Sequence, residues 1–133
     1  MAKRALIVVA ALLEMACGDN QRRRVAGNYC LDRWHGGQLY TVVGCSLAAK
    51  LPARTENGPL EGNVRQIGWN QRLIVAQRAH LIGEKLGWMI LDTQAESLKG
   101  PFTDDEFARL RQQDPELKAI VIHSPLDAWE LLE

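Results

Sequence analysis

The chain has 133 residues, a length that suits one domain with one modest hydrophobic core. Its 16 basic and 16 acidic residues cancel, so the chain lacks the basic excess typical of proteins that bind nucleic acid or anionic membranes. Composition therefore predicts no nucleic-acid partner, and function has to be sought in local patterns.

The N-terminal segment, residues 1–18, has the order of a secretory signal peptide. Lys3 and Arg4 are basic, Ala5–Leu13 is a nine-residue apolar run, and small residues surround Cys17. The apolar run is too short to span a bilayer. A cysteine just beyond it is typical of a bacterial lipoprotein, in which Cys17 would be lipidated and become the mature N-terminus.

Two features leave alternatives open at this end. Glu14 lies three residues before Cys17, where lipoprotein signals usually carry an aliphatic residue, and cleavage after Gly18 would use a pair of small residues instead. Arg22–Arg24 oppose export, because Lys and Arg prefer the cytoplasmic side. In the cytosolic alternative the apolar segment packs as a core helix. In an exported protein, residues 19–27 are expected to be a tether whose arginines contact phospholipid headgroups or are simply solvated.

Residues 28–133 are expected to form one small β-rich domain, because short β-prone runs alternate with turn signals. His35-Gly36-Gly37-Gln38 is typical of a hairpin turn, Trp69-Asn70-Gln71 of a tight connection, and residues 51–62 of a loop. The predicted strands are Tyr29–Trp34, Leu39–Ser46, Asn63–Gly68, Arg72–Gln77, Trp88–Asp92 and Ser97–Lys99. Their succession predicts an antiparallel β-meander.

The C-terminal part carries the clearest helix signal. Thr103-Asp104-Asp105-Glu106 is a capping box, and the residue before Pro115 avoids helical backbone, so a helix is predicted from about Thr103 to Gln113. Lys118–His123 is predicted to be a last strand. Ser124-Pro125 then begins a short terminal helix, with serine as cap and proline at the first helical position. The predicted fold class is α+β.

Cys30 and Cys45 fall on the same side of the first predicted hairpin. If Gly37-Gln38 is the turn, Cys30 lies opposite Cys45; if Gly36-Gly37 is the turn, Cys30 faces Val43 and Cys45 is its diagonal neighbour. In an oxidising compartment the pair is expected to form a disulfide. The alternative is two buried, reduced thiols that act as small hydrophobic side chains.

The sequence contains no pattern that prearranges catalytic or metal-binding groups. His35, His80 and His123 are far apart, and Gly44-Cys45-Ser46-Leu47-Ala48 lacks the trailing glycine of a nucleophile elbow. The three acids of the capping box are accounted for by capping, and no role is assigned to Asp32, Glu84 or Asp92. No catalytic residue, metal or cofactor is therefore predicted.

Two segments resemble small bacterial lipoproteins of unknown function. Ile67–Gln77 contains a Gly-Trp-Asn turn that leads into an apolar strand. Residues 88–107 combine an aromatic-Ile-Leu-Asp strand with a Gly-Pro-Phe-Thr-x-x-Glu-Phe helix start, so the similarity spans residues 63–113. The resemblance implies an envelope location and a compact β-meander with an appended helix, and it brings no catalytic residue.

Three functional hypotheses follow. The first is a non-enzymatic envelope protein, periplasmic or lipid-anchored, that binds another envelope protein or a secreted effector, as an immunity or inhibitor lipoprotein does. The second is a cytosolic interaction module, and the third is a small hydrolase whose histidines and acids converge only in the fold. Trp69, in a predicted turn, is expected either to be exposed as a partner contact or to fold back over the sheet.

Overall fold

The computed structural model describes residues 21–46, 63–79 and 85–133 of the chain. Within them lie seven strands: β1 (Gln21–Ala26), β2 (Tyr29–Trp34), β3 (Leu39–Gly44), β4 (Asn63–Trp69), β5 (Leu73–Ala79), β6 (Lys85–Asp92) and β7 (Ser97–Phe102). Three helices follow: α1 (Asp104–Gln113), α2 (Pro115–Ala119) and α3 (Pro125–Leu131). The predicted α+β class is confirmed. The predicted signal segment 1–18 with Cys17, the loop 51–62, His80 and Glu84 lie outside the described residues.

The predicted meander is divided into two antiparallel sheets. The first sheet has the order β1-β2-β3 and the second the order β4-β5-β6-β7. In the first sheet Trp34 pairs with Leu39, so four residues form the hairpin loop, with a 3-10 turn at His35–Gly37. Gly36 and Gly37 have φ of 66° and 98°, a backbone region that favours glycine. In this register Cys30 pairs with Val43, which is the second of the two predicted arrangements.

The predicted tether is wrong over residues 21–26, because these residues form edge strand β1. Arg22 pairs in register with Asp32, and its guanidinium forms an ion pair with that carboxylate at 2.6 Å. Arg23 donates to the carbonyl oxygens of Trp129 and Leu132 at the end of α3, and its guanidinium lies 4.4 Å from the Trp129 ring centre. The sequence predicts a solvated tether for Arg22–Arg24 because the groups that accept the hydrogen bonds of Arg22 and Arg23 are distant in sequence. Two of its arginines instead attach the strand to the domain.

The second sheet is covered on both faces. All seven residues of β5 are buried, and the first four, residues 73–76, alternate between two separate hydrophobic cores. The first core lies between the sheets and contains Ile74 and Leu91 together with Trp129 of α3. The second core lies beneath α1 and α2, where the Trp88 and Phe107 rings stack with centres 4.2 Å apart. The domain therefore has three layers: the first sheet, the second sheet, and helices α1 and α2.

The predicted strand at Lys118–His123 is wrong. Asp114 ends α1 as predicted, but its side chain then accepts the N–H of Glu116 and begins helix α2, with Pro115 in the first turn. Between α2 and α3 the chain is irregular apart from a single bridge that joins Ile67 and His123. Gly68 permits this crossing, since a Cβ atom there would lie 2.6 Å from the carbonyl oxygen of Val121.

Candidate functional site: a cleft beneath helices α1 and α2

A cleft of about 260 Å³ opens between the helix-facing side of the second sheet and the helices α1 and α2. Its floor is apolar and its rim is polar. The floor consists of Leu73, Ile90, Phe102, Leu110 and Leu117. The rim consists of Arg72, Asp92, Ser97, Lys99, Gln113 and Asp114. A concave apolar surface with a few polar groups at its edge is the usual form of a small ligand site.

Strand alternation places the cleft side chains together. Ser97 pairs with Asp92 and Lys99 pairs with Ile90 across β6 and β7, so these side chains share the helix-facing side of the sheet. Leu98, one residue out of phase, instead packs against the first core. The sequence prediction of β7 ended at Lys99, but the strand continues to Phe102 and forms one wall of the cleft.

A turn and an ion-pair network build one end of the cleft. The Asn70 side-chain oxygen accepts the backbone N–H groups of Arg72 and Leu73 at 2.9 and 2.7 Å, and its amide donates to Glu116 at 3.1 Å. The Arg72 guanidinium donates to the carboxylates of both Glu116 and Asp92. The hydrogen bond to Glu116 is the main cause of the raised pKa of Arg72. The network ties the β4–β5 turn, β6 and α2 to one another.

Asp92 has a structural role that the sequence did not predict. Its carboxylate accepts the N–H groups of Ala95 and Gln94, each at 3.0 Å, in addition to the Arg72 guanidinium. These backbone hydrogen bonds, that of Ala95 first, together with Arg72 hold the pKa of Asp92 below its ordinary value. Asp92 is therefore an anion at neutral pH whose acceptor sites are occupied.

Lys99 differs from the other charged residues of the rim. Its side chain is exposed, and it makes no hydrogen bond or ion pair within the part of the chain that the structure describes. Asp114, by contrast, is occupied as the cap of α2. Among the described residues of the rim, Lys99 is thus the cation whose donors are all available for a ligand.

The capping box at the start of α1 is confirmed. Thr103 accepts the N–H of Glu106 at 3.1 Å, and Glu106 accepts the N–H of Thr103 at 3.0 Å. The hydrogen bond from the backbone N–H of Thr103 to the Glu106 carboxylate is the main cause of the lowered pKa of Glu106.

Capping does not account for Asp104, however, and that prediction is wrong. The Asp104 carboxylate accepts the indole N–H of Trp88 at 2.8 Å, the amide of Gln77 at 2.9 Å and the ammonium of Lys85 at 3.2 Å. The hydrogen bond from Trp88, followed by that from Lys85, lowers the pKa of Asp104. No sequence spacing marks these partners, which come from β5 and β6. Asp104 fastens α1 to the sheet.

Cys30 and Cys45 are joined by a disulfide with their Cα atoms 5.2 Å apart. Cys45 lies one residue beyond β3, so the bond connects diagonal rather than directly opposite positions. Asp32 is 3% exposed and is neutralised by Arg22, which also donates to the Cys45 carbonyl at 3.3 Å. The disulfide and the ion pair therefore lie side by side on the outer face of the first sheet.

Trp69 lies in a strand, not in a turn as the sequence predicted. It is the last residue of β4 and pairs with Ile74, and the turn begins at Asn70. Its partly buried ring packs against the first core and lies 5.4 Å from the ring of His123, centre to centre. This is the predicted alternative in which the indole folds back over the sheet.

The other predicted site features remain separate or fall outside the described residues. The backbone of His123 pairs with Ile67, and the backbone of His35 forms part of the hairpin loop. Within the described ranges no group of three or more His, Cys, Asp or Glu side chains is arranged to hold a metal ion. In those same ranges no helix is both long and apolar enough to cross a membrane.

Comparison of the chain with protein-family models, with curated proteins and with solved structures gives no match.

Proposed function

We propose that the chain is a non-enzymatic binding module of the bacterial cell envelope, periplasmic or lipid-anchored through Cys17. The observation that carries this proposal is the Cys30–Cys45 disulfide. Disulfides persist in oxidising compartments such as the periplasm and are rare in the cytosol. The signal-like order of residues 1–18 and the resemblance to small bacterial lipoproteins point to the same compartment.

A binding role is favoured because the carboxylates of Asp92 in the cleft and of Asp104 at the start of α1 are occupied. Asp92 accepts turn and guanidinium donors, and Asp104 accepts three side-chain donors. A general acid or base needs a carboxylate within reach of a substrate proton. These two carboxylates stabilise the fold instead.

We further propose a protein partner, such as a secreted effector that this module would inhibit. Val121, Leu126 and Leu131 are exposed apolar side chains of the C-terminal segment, and the half-buried Trp69 ring lies beside His123. Exposed apolar and aromatic side chains supply the core of many protein interfaces.

The compartment is tested by expressing the full chain in a bacterium and measuring intact mass, fraction and thiol alkylation. We expect a mature chain that begins at an acylated Cys17 in the membrane fraction, with Cys30 and Cys45 alkylated only after reduction. Cys17→Ser should release the protein from the membrane without exposing Cys30 and Cys45. A mature chain beginning at Asp19 would indicate the periplasmic form.

Intact Met1 with three reduced thiols in the cytosolic fraction would overturn the proposal and favour the cytosolic interaction module. For the protein partner, Leu126→Ser, at an exposed apolar position, should weaken association with a candidate effector, whereas the exposed control Lys118→Gln should not. If both variants bound the effector as tightly as the wild type does, Leu126 would not be part of the interface.

A further inference from the structure

We propose that the cleft beneath α1 and α2 is a binding site for a small molecule with an apolar body and one carboxylate. This inference goes beyond the proposed function, since it depends on the cleft and not on the cellular compartment.

The floor of the cleft sets the apolar body of the ligand. Leu73 comes from β5, Ile90 from β6, Phe102 from β7, Leu110 from α1 and Leu117 from α2. Five elements converge on one concave surface, so the shape is held by the three-layer packing of the domain. A space of about 260 Å³ lies just below the range of about 300–1,000 Å³ that is usual for small-ligand pockets. The site therefore suits a molecule of the size of a short fatty acid or a small aromatic acid.

The charges of the rim determine which end group such a ligand carries. Arg72 is occupied by Asp92 and Glu116, and Asp114 caps α2. Among the charged rim residues that the structure describes, Lys99 has all the N–H donors of its ammonium group available for a ligand. Ser97, two residues earlier on the same side of β7, adds a hydroxyl donor.

An amine would find less to bind in this cleft. The carboxylate of Asp92 already accepts a guanidinium and two backbone N–H groups, and an ammonium ligand would have to displace them. A carboxylate, in contrast, gains a charge-assisted hydrogen bond from Lys99 without breaking one. Lys99 therefore favours acids over neutral analogues, and its charge repels amines.

The test uses the full chain, labelled with ¹⁵N and ¹³C-methyl groups, and three six-carbon probes: hexanoate, hexanamide and hexylamine. Titration followed by NMR should give saturable shifts for hexanoate at the Ser97 and Lys99 amides and at the Leu110 and Leu117 methyl groups. Hexanamide and hexylamine should bind about tenfold more weakly, the factor that corresponds to one charge-assisted hydrogen bond.

Two variants separate the parts of the site. Lys99→Gln, at an exposed strand position, should weaken hexanoate about tenfold and leave hexanamide unchanged, whereas Lys118→Gln serves as the matched control outside the cleft. Leu110→Trp should block both probes by filling the space, and its amide spectrum would show whether the fold is retained.

The proposal is overturned if millimolar hexanoate produces no saturable shift. It is equally overturned if hexanamide binds as tightly as hexanoate, or if Lys99→Gln binds hexanoate like the wild type.

Discussion

The two sheets of this domain are stabilised in different ways. The second sheet is buried on both faces, between the first sheet and the helices, and its strand β5 is buried along its whole length. The first sheet has three strands, and the described side chains that it adds to a hydrophobic core lie on one of its faces. Its outer face carries the Cys30–Cys45 disulfide and the Arg22–Asp32 ion pair.

This difference shows how cross-links replace burial in a small domain. A sheet covered on two sides gains stability in proportion to the apolar area that it removes from water. Among the described residues the first sheet adds one face to a hydrophobic core, and the disulfide adds stability there by restricting the unfolded chain. The Arg23 contacts to the end of α3 also stabilise the first sheet, because in the folded state they tie edge strand β1 to the C-terminal helix.

The largest effect is expected from a cavity in the core between the sheets. Leu91→Ala removes a fully buried side chain of β6 and should lower the free energy of unfolding by about 4 kcal/mol. Urea denaturation measures the loss. The matched control is Leu131→Ala, because Leu131 is 60% exposed and its loss should cost less than about 0.5 kcal/mol. A similar cost at both leucines would contradict the assignment of Leu91 to the core.

Removal of the disulfide should have the next largest effect and should act mainly on the first sheet. The double variant Cys30→Ala, Cys45→Ala is expected to lose about 3 kcal/mol, since the bond closes a loop with a sequence separation of 15 residues. Hydrogen exchange should show that the amides of β1–β3 lose more protection than those of β5. Wild-type protein treated with a reductant is the control and should behave like the double variant. A uniform loss over both sheets would contradict the distinction between them.

Loss of the cap of α1 should cost less. Thr103→Ala removes the side-chain acceptor of the Glu106 N–H and is expected to lower stability by about 1 kcal/mol. Glu106→Ala should have a smaller effect, because it removes only the reciprocal bond of the box. Asp105→Asn, at an exposed position in the same turn, is the control and should be close to neutral. If Asp105→Asn instead abolished partner binding at full stability, the acidic start of α1 would be a functional surface.

The smallest effect is expected from acidification. The pKa values of Asp92, Asp104 and Glu106 are lowered in the folded state from ordinary values of 3.8, 3.8 and 4.5. Their stabilising contribution is therefore fully present above the ordinary values and is lost as the pH falls through the lower, folded-state values. Urea midpoints should be level from neutral pH down to about 5 and should fall below about 4. Asp104→Asn should reduce this slope, and midpoints that rise on acidification would contradict the sign.

Most of the correctly predicted elements depend on short-range sequence signals, whereas the errors involve residues whose partners lie far away along the chain. The strands β2 to β6, the capping box and the Ser124 cap follow from alternation and cap chemistry within a few residues. Strand β1 was missed because its arginines find their partners in Asp32 and in the end of α3. The capping box predicts only a capping role for Asp104. Its three side-chain donors are not apparent from the sequence, because they lie at least 16 residues away along the chain.

The sequence by itself determined the α+β class, the turns, the start of α1 and the proximity of Cys30 to Cys45, because each depends on backbone preferences and spacing over short stretches. Only the tertiary structure decided that the meander divides into two packed sheets and that Trp69 folds back on the core. The cleft with Lys99 at its rim also appears only in three dimensions, since its floor draws on five elements. Such features arise when burial brings together surfaces from separate parts of the chain, and no local pattern records which surfaces will meet.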